Sequence, residues 1–125
     1  MGNYVNDVDS SFWQTTDAYA PPVAYAALDP DAAGNVLIDM RGMTKLTLYM
    51  MNGIGATINW QVLGSIDGGV SWDFTEKADA ALTASTNAEH WWTNWLTTGG
   101  RVYTHLLLQT KSAGAAALTV KVSST

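Results

Sequence analysis

Thr57-Ile58-Asn59-Trp60-Gln61-Val62, followed across Asp67-Gly68-Gly69 by Val70-Ser71-Trp72-Asp73-Phe74, is the stretch whose pattern decides the fold. Successive side chains of an extended chain point to opposite faces, so Ile58, Trp60 and Val62 fall together while Thr57, Asn59 and Gln61 face the other way. The Gly pair supplies positive φ at little steric cost, and the alternation resumes beyond it. Residues 57–74 therefore read as a β-hairpin with one half-buried face.

The same period recurs on both sides of the hairpin. Lys45-Leu46-Thr47-Leu48-Tyr49-Met50 sets Leu46, Leu48 and Met50 on one face, and Val36-Leu37-Ile38-Asp39-Met40 is a β-prone run bounded by Gly34-Asn35 and Gly42. Downstream, strands are expected at His90–Leu96, Val102–Thr110 and Ala117–Ser123; in the last, Leu118, Val120 and Val122 oppose Thr119, Lys121 and Ser123. His105 is expected on the face of Tyr103 and Leu107, as a partly buried structural residue. Glu76–Leu82 is where a helix competes, since Lys77 to Leu82 holds good helix formers. It is short and uncapped and reads as a loop or edge strand, with one helical turn as the alternative. Roughly seven or eight short strands with Gly-rich turns predict an all-β chain, a single-domain antiparallel β-sandwich or jelly-roll-like barrel.

Ahead of this domain, residues 1–20 are rich in Asn, Asp, Ser and Thr, with Tyr4, Phe12, Trp13 and Tyr19 spaced without a period. Disordered segments are normally poor in aromatics, so this segment is expected to be an extended N-terminal arm whose Phe12 and Trp13 dock on this subunit or its neighbour. Pro21-Pro22 closes the arm, because consecutive prolines favour extended backbone, and the β-sandwich domain is expected over 21–125.

Composition narrows the function. A chain of 125 residues makes about one domain. Six Lys and Arg against eleven Asp and Glu give a charge of −5. That balance, without a basic cluster, argues against nucleic acid and against an anionic membrane. The polar start Met1-Gly2-Asn3-Tyr4 is not a signal peptide, and synthesis in a cytoplasm is expected. With no Cys there are no disulfides, thiolate metal sites or Cys nucleophile. Charged residues are 14% of the chain, against roughly 25% in soluble domains, so less of the surface than usual needs to face water.

No motif starts an enzyme mechanism. His90 and His105 lack metal-ligand spacing, Asp29-Pro30-Asp31-Ala32-Ala33-Gly34-Asn35 lacks the later Glu of a calcium loop, and no nucleophile elbow or phosphate loop occurs. No catalytic residue, metal or cofactor is expected. Glu89-His90-Trp91-Trp92-Thr93-Asn94-Trp95-Leu96 carries three Trp in five residues. Extended, it puts Trp91 and Trp95 on one face and Trp92 on the other. Core packing, a subunit or partner interface and a glycan platform all remain open for Trp91, Trp92 and Trp95.

Two resemblances sharpen these expectations. Ser65-Ile66-Asp67-Gly68-Gly69-Val70-Ser71-Trp72 resembles the Asp-box of sialidase-like propellers, with Ser71 in the Thr place. In that family the Asp stabilises a turn and the Trp packs beneath it, which implies structural turn roles for Asp67, Gly68, Gly69 and Trp72. A propeller carries one box per blade, and this chain has one.

The order of the Gly64-Ser65-Ile66-Asp67-Gly68 hairpin, Arg101-Val102-Tyr103 and the closing strand Leu118 to Ser123 resembles small all-β virion proteins of tailed bacteriophages. The resemblance spans residues 57–123. It implies a capsid decoration (cement) protein on the virion surface, usually a homotrimer bound to the major capsid protein, or a tail or fibre component. It implies no catalytic residues. The arm and Trp cluster, Tyr4, Phe12, Trp13, Tyr19, Trp91, Trp92 and Trp95, are the interface candidates, and a glycan is the alternative partner.

Overall fold

A computed structural model of the chain describes residues 12–41, 43, 45–83, 86–93, 103–114 and 116–124. The strands are β1 Phe12–Thr15, β2 Asn35–Asp39, β3 Lys45–Gly55, β4 Ile58–Ser65, β5 Phe74–Leu82, β6 Asn87–Thr93, β7 His105–Ser112 and β8 Ala116–Ser124. They form two antiparallel four-stranded sheets, ordered β1-β8-β3-β6 and β2-β7-β4-β5.

The pairing is nested. Hairpin β4–β5 is innermost, then β3 pairs β6, β2 pairs β7 and β1 pairs β8, and the ribbon rolls over itself through β3–β8 and β4–β7. This is the strand order of a jelly roll, one of the two expected forms, built as a double sheet with free edges.

Alternation explains why these strands pack as they do. Leu46, Leu48 and Met50 of β3, Ile58, Trp60 and Val62 of β4, and Leu118, Val120 and Val122 of β8 are all at most 4% exposed and join one core. Thr47, Lys121 and Ser123, between them in sequence, face solvent. Full burial of a large aliphatic side chain stabilises by about 1.5–3 kcal/mol, so this inward register outweighs any one-residue slip.

Two local expectations are corrected, and one open choice is resolved in favour of the edge strand. The return strand of the hairpin starts at Phe74 instead of Val70, because residues 66–73 are held in a wide turn by their own polar groups. Glu76–Leu82 is edge strand and carries no helical turn, since pairing along β4 overrides weak helix propensity. Tyr103 does not share a face with His105 and Leu107. It precedes β7, where Thr104 binds back to Ser65 and Met40, and its ring enters the core.

Strand β7 lies between β2 and β4 and is buried on both faces. Leu106 and Leu108 face the core. Leu107 belongs to the other face, in register with Leu37 and Leu63. Segment 21–34 runs along that face: Gln109 Nε2 donates to Ala26 O at 2.9 Å, Asn35 Nδ2 to Ala27 O and Asp29 O at 2.9 and 2.8 Å, and Ser112 N to Pro22 O at 2.8 Å.

The free edge β5 is blunted by two register irregularities and by Glu76, Lys77 and Asp79, which discourages edge-to-edge aggregation.

Tyr103 fits because Gly64 has no Cβ: one placed there would lie 2.2 Å from the ring. Gly64→Ala is expected to lower the free energy of unfolding by about 1–3 kcal/mol, measured by urea titration with an unchanged m-value.

Candidate interaction surface

The fold brings the aromatic candidates of the two distant segments to one sheet. Phe12 and Trp13 stand on β1, and Trp91 and Trp92 stand on β6; these strands are the two edges of the β1-β8-β3-β6 sheet. Register puts Trp13, Ser123, Thr47 and Trp91 in one cross-strand row, and Phe12, Ser124, Leu46 and Trp92 in the adjacent row. Of the described side chains in the first row, Thr47 and Ser123 are exposed. Tyr4 and Trp95 lie outside the described residues.

From Phe12 the expected arm follows β8. Thr15 pairs with Lys121, Thr16 N donates to Val120 O at 2.9 Å, and Tyr19 exchanges backbone bonds with Leu118 at 3.0 and 2.8 Å. The Tyr19 ring packs against the domain core, with its hydroxyl 3.1 Å from Thr110 Oγ1. Thr110 Oγ1 itself donates to Gly34 O at 2.7 Å, so the phenol is the donor. Burial raises the Tyr19 phenol above its ordinary value.

At the other end of the sandwich lies the β4–β5 turn, built around Asp67. Its Oδ1 accepts from Ser65 Oγ at 2.7 Å and from Ser71 N at 3.0 Å, while Ser71 Oγ lies 2.6 Å from Oδ2. Ser65 Oγ in turn accepts the Gly69 amide at 2.9 Å, and Gly68 N donates to Thr104 Oγ1 at 2.9 Å. Gly68 and Gly69 have φ of 79° and 87°, and Trp72 lies beneath Gly69. The turn holds Ile66 and Val70 in solvent, Val70 at 85% exposure.

Charged groups near this turn are also spent on structure. Arg41 donates to Asp39 through Nη2 at 2.7 Å and Nε at 3.0 Å, and this bond first of all holds the Asp39 carboxyl below the usual range. His105 Nε2 is 3.8 Å from Asp39 Oδ1, and its Nδ1 is 3.2 Å from Thr104 Oγ1. Asp39, His105 and Thr104 have the order of a catalytic relay. The Thr104 hydroxyl, however, is already within 3.2 Å of Ser65 O as donor and accepts the Gly68 amide, so it braces the turn.

In the calcium-like stretch, Asp29 Oδ1 accepts the Asp31 amide at 2.9 Å and Asn35 binds carbonyls, a turn satisfied by its own chain. Among the described residues no three His, Cys, Asp or Glu groups are placed to hold a metal ion.

One cluster escaped the sequence. Tyr25 OH donates to Asp79 Oδ1, Asn59 Nδ2 donates to Asp79 Oδ2 at 3.3 Å, and Lys111 Nζ sits 4.5 Å from the Tyr25 ring centre. Burial, then the Asp79 bond and charge, push the Tyr25 phenol up. Tyr25 and Asp79 are 54 residues apart, and no local pattern links them.

The Asp67 bonds carry a pH signature. Ser71, through side chain and amide, and then Ser65 hold its carboxyl at about 2, against about 3.9 in an unfolded chain. A lowered folded value means a contribution fully present above about pH 4 and lost as pH falls through about 2. Asp67→Asn is expected to flatten the melting temperature between those limits, followed by circular dichroism. A variant profile parallel to that of the parent would refute the role.

No family model matches this sequence, and no curated protein matches it significantly. Among solved structures, similarity is found to a protein of the disulfide-linked pili of Bacillus endospore appendages, at 9% identity and TM-score 0.45, covering 92% of this chain and 88% of that one. The coat protein of Tobacco streak virus is similar at 10% identity and TM-score 0.34, covering 97% and 90%. The infectious bursal disease virus Gx strain structure is similar at 14% identity and TM-score 0.38, covering 90% of this chain and 32% of that one. The jelly-roll assignment rests on the strand order of this chain itself.

Proposed function

We propose that this chain is a non-enzymatic structural protein of a virus particle, a capsid decoration protein that binds the assembled shell and associates with copies of itself as a trimer. The observation that carries this reading is the position of Trp13 on one edge strand and of Trp91 on the other edge strand of a single sheet, in the register row of the exposed Thr47 and Ser123. Edges are where a further chain can be added, and aromatic residues supply much of the binding free energy at the centres of protein interfaces. The described titratable groups near the turn are engaged in bracing it, which fits a scaffold and leaves the working surface to the sheet.

Cementing would act by linkage. A protein that binds the closed shell and not its dissociated subunits stabilises the shell in proportion to occupancy. The test is whether the protein co-purifies with particles at a fixed high copy number relative to the major capsid protein. Particles stripped of it are expected to come apart at lower temperature and to regain the parent value on adding it back. Its absence from purified particles would end the proposal.

A second reading, a glycan platform, is favoured by the row Trp13, Ser123, Thr47, Trp91, in which hydroxyl residues stand between two tryptophan positions. Under the virion reading, intrinsic tryptophan fluorescence stays unchanged across a panel of neutral and acidic polysaccharides. A saturable change abolished by Trp91→Ala would favour the sugar.

A further inference from the structure

We propose that residues 12–20 are exchanged between copies of this chain, each copy's β1 and Tyr19 completing the β8 edge and Thr110 seat of a neighbour. The inference rests on the self-association proposed above and names its contact.

Four observations carry it. First, the segment is held to β8 through main-chain pairing: four register pairs from Phe12 to Thr15, then the Thr16 and Tyr19 bonds to Val120 and Leu118. Backbone ladders are indifferent to which identical chain supplies the strand. Second, β1 is a four-residue edge strand, so departure of the segment leaves the order β8-β3-β6 intact and uncovers the outer side of β8 and the Thr110 seat of Tyr19, which the neighbour's copy refills.

Third, the chain is pinned independently just beyond Tyr19. Pro22 O accepts Ser112 N at 2.8 Å, and Pro22 packs so closely on Gly34 that a Cβ there would lie 2.5 Å from its Cδ. Residues from Pro22 onward therefore keep their seat when the segment leaves. Fourth, the link between the seat and the segment is Ala20-Pro21-Pro22. Two fixed φ angles make a stiff, extended hinge that limits folding back. Closing such exchange around a ring yields an oligomer without any new surface, which suits a small subunit whose edge strand is the transferable part.

The test uses Thr15→Cys with Lys121→Cys in the full chain. Both side chains are exposed, they are register partners, and the chain has no other Cys. The neighbouring pair, Thr16 with Val120, is hydrogen-bonded, so this one is the close kind, with Cα atoms about 4.5 Å apart and within reach of a disulfide. The oligomer peak is oxidised, or bridged with a short bismaleimide if thiols persist, and run on a non-reducing denaturing gel.

Covalent dimers and larger species are expected. Links confined to single chains in an oligomer, or a monomer by light scattering, would overturn the exchange. As a second measure, Pro21→Ala with Pro22→Ala relaxes the hinge and is expected to reduce the oligomer fraction several-fold; an unchanged fraction also counts against it. Co-purification with particles is read separately, so failure of the exchange leaves the virion proposal standing, and absence from particles leaves the exchange standing.

Discussion

Burial of β7 on both faces is the constraint from which much of the remaining architecture follows. Leu106 and Leu108 meet the core, and this obliges Leu107, Gln109 and His105 to leave water on the opposite face. A buried amide left unpaired costs about 1–3 kcal/mol, so Gln109 needs partners, and it finds them in Ala26 O, the side chain of Asn35 and Gln61 Nε2 at 2.8 Å. Segment 21–34 is drawn across the sheet for that reason. Its placement in turn seats Pro22 against Gly34, sets Gly34 O where Thr110 can donate to it, and leaves Thr110 to receive Tyr19. The path of the N-terminal segment is thus a consequence of how one central strand is satisfied.

The far end of β7 is tied down by the same economy. Thr104 and His105 lead into the strand, and their polar groups reach the β4–β5 turn and Asp39. The turn is over-determined: Thr104, Ser65 and Asp67 accept the amides of Gly68, Gly69 and Ser71, and the Ser71 hydroxyl donates to Asp67. Rigidity of this kind costs no conformational entropy when a partner is met, which is one way a loop presents Ile66 and Val70 without collapsing onto them. Asn52 performs a comparable role at the opposite end, where its buried amide donates to Ala56 O at 2.9 Å and lies 3.3 Å from Leu82 O and Thr83 O.

The interior is filled by aliphatic side chains together with Trp60, Trp72 and Tyr103, and the polar clusters around Asp67 and Asn52 brace turns. Phe12 and Trp13 stand on one edge strand of the β1-β8-β3-β6 sheet and Trp91 and Trp92 on the other, while the edge at β5 is protected by charge and irregular register.

What the sequence alone determined was most of the strands and the inward faces of β3, β4 and β8. Alternation is a local property, and Ile58/Trp60/Val62, Leu46/Leu48/Met50 and Leu118/Val120/Val122 each declare a buried side within six residues. The turn role of Asp67, Gly68, Gly69 and Trp72 was also legible, because an Asp bonding amides a few residues on is local chemistry. The tertiary structure alone decided which strands pair, where the hairpin truly returns, that Tyr103 leaves the face of His105, and that residues 12–19 belong beside β8. Those outcomes depend on contacts between residues about 50 to 100 positions apart, such as Gln61 with Gln109, Tyr25 with Asp79 and Tyr19 with Thr110. Pairing partners compete through total buried area and polar satisfaction, and these exist only once the whole chain has closed.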